Sequence, residues 1–256
     1  MVLVFDVWSD IAMFRKPYTT TSQVSFAFPP PTAIAGLVSA IVGTDHGASL
    51  EASKADFWNG MKNTRVAIGL LSPVRWFSTT INLLKFKTPN GNMDEHIQSK
   101  HQMLKQPRYR IYLQDGNLYA SLKCRLERKE FIFTPCLGTA YAIAEMQYVG
   151  EYEEKPVNDQ ETWVDSIVPL YNGVHLDVMK SRGLHRERVP FQMNGQRELL
   201  QTVSVIYPEI EFDESTGSEV HSKRIWLKGR GKLDVSQVGE ERVSWFERWG
   251  NLESPK

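Results

Sequence analysis

The sequence predicts an α+β fold, and three patterns support this prediction. Short stretches rich in apolar and β-branched residues, typical of strands, recur along the chain from Val2–Trp8 onward. One segment, Thr32–Val42, instead repeats its apolar residues at helical spacing. Hydrophobic residues make up 41% of the 256 positions, which is enough for one large domain or two small ones.

The first predicted elements are a strand and a helix. Val2–Trp8 is apolar on both alternating faces, which favours a central strand. Pro29–Pro31 then end any extended structure, and Thr32 is the expected N-cap of the helix at Thr32–Val42. Gly36 lies on a stripe of small residues in this helix, where we expect a neighbouring backbone or RNA to approach closely. Two more strands are predicted at Thr64–Leu71 and Val74–Phe86.

The following elements complete a recognisable order. Arg108–Leu113 is a predicted strand, and Asp115–Gly116 is a strong hairpin signal that predicts a partner strand at Leu118–Arg125. We expect a short strand at Phe131–Phe133, a second helix opened by Gly138 and Thr139, and a last strand at Tyr148–Tyr152. Strand, helix, strands, helix, strand is the ferredoxin-like order.

These elements divide the chain into a ferredoxin-like domain at residues 1–155 and a smaller β-rich region at residues 156–256. In the second region, Trp163–Leu170 and Leu199–Tyr207 have the composition of buried strands. The apolar period disappears at Lys87–Pro107, between two predicted strands. Long loops are uncommon in compact domains unless they are functional. We therefore expect this segment to project from the sheet.

The charge distribution indicates a local site for a polyanion. The formal net charge is zero. However, ten basic and three acidic residues lie between Lys54 and Arg110, whereas the chain from Ile111 onward has 18 basic and 23 acidic residues. One basic region beside an acidic remainder can bind a polyanion locally. An ordinary solvated face is the alternative.

Basic and aromatic side chains occur together just before the predicted helix. Arg15, Lys16 and Tyr18 precede it, and Thr20 follows them in a hydroxyl-rich run. The N-terminus of a helix also attracts anions. Cations that neutralise phosphates and aromatics that stack on bases are typical of single-stranded RNA sites. An exposed edge with long basic side chains is the alternative interpretation.

Two segments carry a family resemblance. Met13–Gly43 contains Phe-Arg-Lys-Pro-Tyr-Thr-Thr-Thr-Ser followed by Phe-Pro-Pro-Pro-Thr-Ala-Ile-Ala-Gly, and Thr134–Met146 contains a Leu-Gly turn. The sequence resembles the CRISPR-associated Cas-five family, closest to the form in type I-B effector complexes. Beyond about residue 150 the resemblance is loose. In this family, Lys87–Pro107 corresponds to a thumb, a hairpin that reaches out to RNA.

The resemblance implies a non-catalytic subunit that caps the 5′ handle of the CRISPR guide RNA (crRNA). Its implied partners are that handle, the Cas-seven backbone subunit and the large Cas-eight-type subunit, with target DNA contacted only indirectly. The expected RNA-binding residues are Arg15, Lys16, Tyr18, Thr20, Thr32, Lys85, Lys87, His96, Lys100, His101, Lys105, Arg108, Arg110, Gly138 and Thr139.

An enzymatic alternative rests on two histidines. His96 and His101, with Lys100 and Lys105 nearby, could serve metal-free cleavage of repeat RNA, as in type I-C systems, where a base removes the 2′-hydroxyl proton. The spacing of the two histidines does not match a metal site, and Cys124 and Cys136 have no second pair to form one. We therefore expect neither a metal nor a cofactor.

The carboxyl-terminal aromatics have two possible roles. Trp245, Phe246 and Trp249 are either core residues or a patch that binds a partner subunit, and we retain the partner-binding role as a prediction. No apolar run is long enough to cross a bilayer, and two thiols without an evident disulfide fit a reducing cytoplasm.

Overall fold

The computed structural model describes residues 1–20, 22–45, 55, 57–84, 96–181, 183–212, 219–221 and 223–250. In these ranges the fold is α+β, with many strands and few helices. The helices are α1 (Pro31–Val42), α2 (Phe57–Gly60) and α3 (Tyr119–Arg128). The strands of the first part are β1 (Val2–Trp8), β2 (Ile11–Ala12), β3 (Phe14–Arg15), β4 (Ser22–Phe26), β5 (Arg65–Leu70), β6 (Trp76–Leu84), β7 (His96–Lys105), β8 (Arg108–Gln114) and β9 (Glu145–Tyr152).

The remaining strands are short, apart from one long hairpin. They are β10 (Glu154–Pro156), β11 (Thr162–Val164), β12 (Val168–Pro169), β13 (His175–Leu176), β14 (Leu184–Met193), β15 (Leu199–Pro208), β16 (Glu211–Phe212), β17 (Glu219–His221), β18 (Ile225–Gly229), β19 (Val235–Val238) and β20 (Glu241–Ser244). The hairpin of β14 and β15 packs against α1.

The central sheet has the strand order β5-β8-β1-β9, and every neighbouring pair is antiparallel. With α1 between β1 and β5, and α3 between β8 and β9, the chain follows the split βαβ order of ferredoxin-like folds. β1 lies inside the sheet, and Val2–Val7 are buried, including Asp6. The predicted central strand is therefore confirmed.

The second helix lies at a different place from the predicted one. Leu118–Arg125 was expected as a strand, but Tyr119–Arg128 is a helix that buries Leu122 and Leu126, one turn apart. Asp115 and Gly116 do have positive φ angles, 59° and 88°, so the predicted turn exists. This turn leads from β8 into α3 rather than into a partner strand.

The segment expected to form the second helix is irregular. Gly138 and Thr139 lie in a loop closed by a single bridge between Cys136 and Ile143. Phe131–Phe133 is not a strand either. Instead, the amides of Ile132 and Phe133 donate to the carbonyls of Ile41 and Ala40 at the end of α1. These bonds satisfy acceptors that the last turn of a helix leaves free.

Helix α1 is present but begins differently. Its first residue is Pro31 and its N-cap is Pro30, without a side-chain capping bond. Thr32 therefore lies within the first turn and is not the cap, because proline at the first position already has a suitable φ and no amide to satisfy. Ile34, Leu37 and Ile41 form part of the buried face, as their spacing predicts.

The predicted projecting loop is a hairpin over its described part. β7 pairs with β6 in antiparallel register from Trp76↔Leu104 to Leu84↔His96, and its other side pairs with β4 and β2. Residues 85–95, including the start of the predicted loop, lie outside the described ranges. We call β6 and β7 the thumb hairpin. Strand β7 was not predicted because its apolar and polar residues do not alternate regularly.

The carboxyl-terminal aromatics belong to the core. Trp245, Phe246 and Trp249 are 1%, 1% and 3% exposed, so the prediction that they bind a partner subunit is wrong. Phe246 and Trp249 share the main buried cluster with residues of β1 and α1. The division at residues 155 and 156 stays a prediction. Among the described residues, no helix is long and apolar enough to span a bilayer.

Candidate nucleic-acid interface

An open cavity of about 380 Å³ lies at the start of α1, and we call it the α1 cavity. Its walls include the aromatic rings of Phe26, Phe57 and Trp58. Arg15 and Arg197 also line it. Guanidinium groups beside exposed aromatic surface are the combination that holds phosphates and stacks unpaired bases. Arg15, Thr32 and Gly138, which the sequence predicted as RNA-binding, line this cavity together.

The turn before α1 positions Arg15 and Tyr18. The Arg15 guanidinium donates to the carbonyl of Thr19 at 2.9 Å, and the Thr19 hydroxyl donates to the carbonyl of Lys16 at 2.8 Å. These bonds close the turn and leave Tyr18 73% exposed. Such exposure is unusual for an aromatic ring and leaves its face open to a base. Thr20, just beyond the turn, is exposed as well.

Lys16 is less available than its neighbour. Its ammonium forms an ion pair with Glu187 of β14 and lies 5.3 Å from the centre of the Phe26 ring. The Lys16 side chain is 17% exposed. Its charge is therefore partly neutralised by Glu187, and Arg15 is the more accessible of the two cations.

Gly138 forms part of the wall because the chain passes very close to β2 and β3 there. The Met13 amide donates to the carbonyl of Leu137 at 3.1 Å, and Gly138 has a φ of +90°. A Cβ atom on Gly138 would lie 2.0 Å from the Met13 carbonyl oxygen. Glycine is thus required both by the backbone conformation and by the contact. The adjacent Thr139 hydroxyl is buried and has no partner among the described residues.

The helix N-terminus contributes fewer donors than the sequence suggested. The amides of Ala33 and Ile34 both donate to the carbonyl of Pro30, at 2.8 and 3.1 Å, and Pro31 has no amide hydrogen. Thr32 is thus the first-turn residue best placed to donate to an anion. Most of the positive charge at the α1 cavity comes from the two arginines.

Sequence reasoning missed a row of arginines on the neighbouring hairpin. Arg186, Arg188 and Pro190 occupy alternate positions of β14 and so lie on one face, and Pro190 lines the α1 cavity. The two arginine side chains donate to Ser204 and Thr202 across the hairpin. The alternation of basic and other residues in Leu184–Met193 is the only sequence signal of this row.

The thumb residues are divided between exposed and buried positions. His96, Lys100 and Lys105 are exposed, but His101 is 4% exposed and neither of its ring nitrogens has a described partner. Burial, and then the charge of Arg15, lower the pKa of His101 below its usual value. The prediction that His101 contacts RNA is therefore corrected, because its side chain is buried.

The arginines of β8 also have different roles. Arg110 donates to both carboxylate oxygens of Asp6, at 2.7 and 3.0 Å, and to Glu241 at 2.9 Å. These bonds fix the guanidinium in an internal ion-pair network, and this corrects the prediction that Arg110 binds RNA. Arg108 is half-exposed and lies 5.0 Å from the centre of the Trp8 ring. The predicted contacts Lys85 and Lys87 lie outside the described residues.

A family comparison matches the amino-terminal part of the chain, which contributes several residues to this site. The family described as CRISPR-associated protein (Cas_Cas5) matches residues 2–68, which include β1, the turn at Arg15 and all of α1. Over these residues the chain is similar to the Cas-five family. The family prediction made from the sequence is thereby confirmed, without its I-B subtype.

Two solved structures share the fold of this chain. A crystal structure of a CRISPR protein from Archaeoglobus fulgidus is 17% identical, with a TM-score of 0.53, and the match covers 95% of this chain and 98% of that one. A chain of a CRISPR RNA-guided surveillance complex is 12% identical, with a TM-score of 0.54, covering 82% and 90%. No curated protein matches this sequence.

Proposed function

We propose that this protein is a non-catalytic RNA-binding subunit of a type I, I-B-like CRISPR effector complex. It caps the 5′ handle of the crRNA and bridges the Cas-seven backbone subunit to the large Cas-eight-type subunit in the cytoplasm. Target DNA is contacted only indirectly, because base pairing with the guide reads the sequence while the protein holds the RNA backbone.

The α1 cavity is the observation that carries this proposal. It combines Arg15 and Arg197 with the rings of Phe57 and Trp58, and Tyr18 is exposed beside Arg15. Cations and aromatic faces in one concave site suit an irregular single-stranded end of RNA better than a regular helix. One protein of the same fold belongs to a complex described as RNA-guided, which supports the same class of function.

The positions of the two histidines favour the non-catalytic form of the proposal. His96 and His101 are five residues apart on β7, so they lie on opposite faces of the strand. Only His96 is exposed. Two such rings do not converge on one phosphate, as a general base and an acid must.

Affinity purification from the host tests the function directly. RNA recovered with the tagged chain should consist of crRNAs that share one 5′ handle. Replacing Arg15 and Arg197 with Ala should reduce the recovered RNA by about tenfold, the effect of removing roughly 1.4 kcal/mol of binding free energy from two phosphate contacts. Arg128→Ala, an exposed position on α3, is the matched control and should retain the RNA.

Two results would contradict the proposal. Recovery of no specific RNA would remove the RNA-binding function. Cleavage of repeat RNA in EDTA by the purified protein, abolished by His96→Ala, would instead favour the metal-free endoribonuclease.

A further inference from the structure

Strand β6 is an uncovered edge in the described part of the chain. It spans the nine residues Trp76–Leu84 and pairs only with β7 there. The register runs without a bulge from Trp76↔Leu104 to Leu84↔His96. A regular strand of this length presents a continuous row of backbone donors and acceptors along its free side.

Two backbone bonds show which residues form that row. The Lys105 amide donates to the carbonyl of Arg75 at 2.9 Å, whereas the next amide, Gln106, donates to Asp10 on the opposite side at 2.8 Å. Odd-numbered residues of β7 therefore bond to β6. In an antiparallel pair the bonded positions alternate, so odd-numbered residues of β6 bond to β7 and even-numbered residues point away. The residues whose backbone groups point away are Trp76, Ser78, Thr80, Asn82 and Leu84.

The composition of β6 contains none of the features that protect a free edge. Natural proteins shield edges with charged side chains, proline or bulges. The sequence of β6 is Trp-Phe-Ser-Thr-Thr-Ile-Asn-Leu-Leu, with no charge and no proline. Trp76 and Leu83 are each 41% exposed, and Ile97, which pairs with Leu83, is 46% exposed. An edge of this kind is a ready template for pairing with another strand.

We propose that the outer edge of β6 binds an extended segment of another protein, which adds to the thumb sheet as a further strand. This mode of recognition takes its affinity from backbone hydrogen bonds and its specificity from alternating side chains. The odd-numbered face of β6 carries Phe77, Ile81 and Leu83, so the segment should place apolar residues there. This proposal does not depend on RNA capping.

The charges around the edge favour a different, acidic protein over a second copy of this chain. In residues 75–84 and 96–105, the side chains with a formal charge are Arg75, Lys100 and Lys105, all basic. Lys100 pairs with Thr80, so a residue added opposite Thr80 lies two strand spacings from Lys100, about 9–10 Å. Long acidic and basic side chains can meet over that distance. Two copies paired through β6 would instead bring like charges together.

Amide hydrogen exchange with residue resolution tests this directly. In the free full-length chain, the amides of Ser78, Thr80 and Asn82 should exchange quickly, and those of Phe77, Thr79 and Ile81 slowly. In the complex purified from the host, the first three should exchange at least about tenfold more slowly, as expected for bonds worth roughly 1.4 kcal/mol. Digestion of the RNA should leave this protection unchanged, because the covering strand is protein.

A substitution pair isolates the outward bond. Thr80→Pro removes an amide that points away from β7, so the thumb hairpin should keep its own protection while the complex loses the slow exchange at Ser78 and Asn82. Thr80→Ala keeps the amide and should behave as the natural chain does.

The opposite results overturn the proposal. Outward amides that exchange equally fast in the complex and in the free chain would mean that nothing covers the edge. Protection that disappears with RNase would assign the edge to RNA. Protection already present in the free chain, together with a dimer in sedimentation, would assign it to a second copy.

Discussion

Gly138→Ala should destabilise the protein strongly because two separate requirements exclude a side chain there. The left-handed backbone at φ +90° costs a non-glycine residue roughly 1–2 kcal/mol. The new Cβ would also lie 2.0 Å from the Met13 carbonyl oxygen. The backbone that carries this oxygen is held by the hydrogen bond from the Met13 amide to the Leu137 carbonyl. Removing the clash therefore requires a backbone shift, which costs about 1–3 kcal/mol.

The sum, about 2–5 kcal/mol, corresponds to a lower melting temperature by roughly 4–20 °C for a chain of this size. Differential scanning calorimetry of the free protein measures this shift. The displaced wall should also weaken binding of guide RNA, because Gly138 lines the α1 cavity. A variant that melts within a degree of the natural protein would show that the close contact with Met13 does not exist.

Gly36→Ala is the matched control, and it also corrects an expectation from the sequence. The described part of the chain places no atom within 4 Å of a Cβ at Gly36, so the expected close approach of a neighbouring backbone is wrong. Alanine is a better helix former by about 0.8–1 kcal/mol, and this variant should melt about 2–4 °C higher. If the variant melts higher but no longer binds guide RNA or assembles with its partners, then RNA or a partner subunit approaches Gly36 closely.

Two further predictions concern the thumb hairpin. Replacing Lys100 and Lys105 with Ala should leave the melting temperature unchanged, because both side chains are exposed. The slope of log affinity for guide RNA against log salt concentration should become shallower by about 0.7 for each lysine that contacts a phosphate. An unchanged slope would show that neither lysine contacts a phosphate. His101→Met should raise stability by removing two buried nitrogens without described partners. Because burial and Arg15 lower the pKa of His101, its neutral form is favoured on folding. The natural chain should therefore lose stability as pH falls below about 6.5, and the variant should lose less; equal melting curves at about pH 7.5 and 5.5 would contradict this.

The position of the second helix shows that a local turn signal does not determine which element follows the turn. The Asp115–Gly116 turn favoured a hairpin, so Leu118–Arg125 was predicted as a strand. Burial of Leu122 and Leu126 under α1 and the central sheet selects the helix. Contacts that are distant in sequence therefore overrode a strong local hairpin signal.

The candidate site was predicted only in part for a similar reason. Residue type and local spacing indicated Arg15, Tyr18 and Thr32, which are close in the chain. Arg197 comes from a hairpin far along the sequence and reaches the α1 cavity only because β14 packs against α1. Spacing along the chain carries no information about such a contact.

The sequence by itself determined the central strand β1, the helix α1, the ferredoxin-like order and the resemblance to the Cas-five family. These depend on periodicity and on short motifs, which are local properties of the chain. The tertiary structure alone decided which basic side chains remain exposed and free to bind RNA. Arg110 and His101 are basic residues in the same predicted region as Lys100. However, Arg110 is bonded to Asp6 and Glu241, and His101 is buried. Burial and ion pairing depend on what packs against a side chain, and that is known only once the chain is folded.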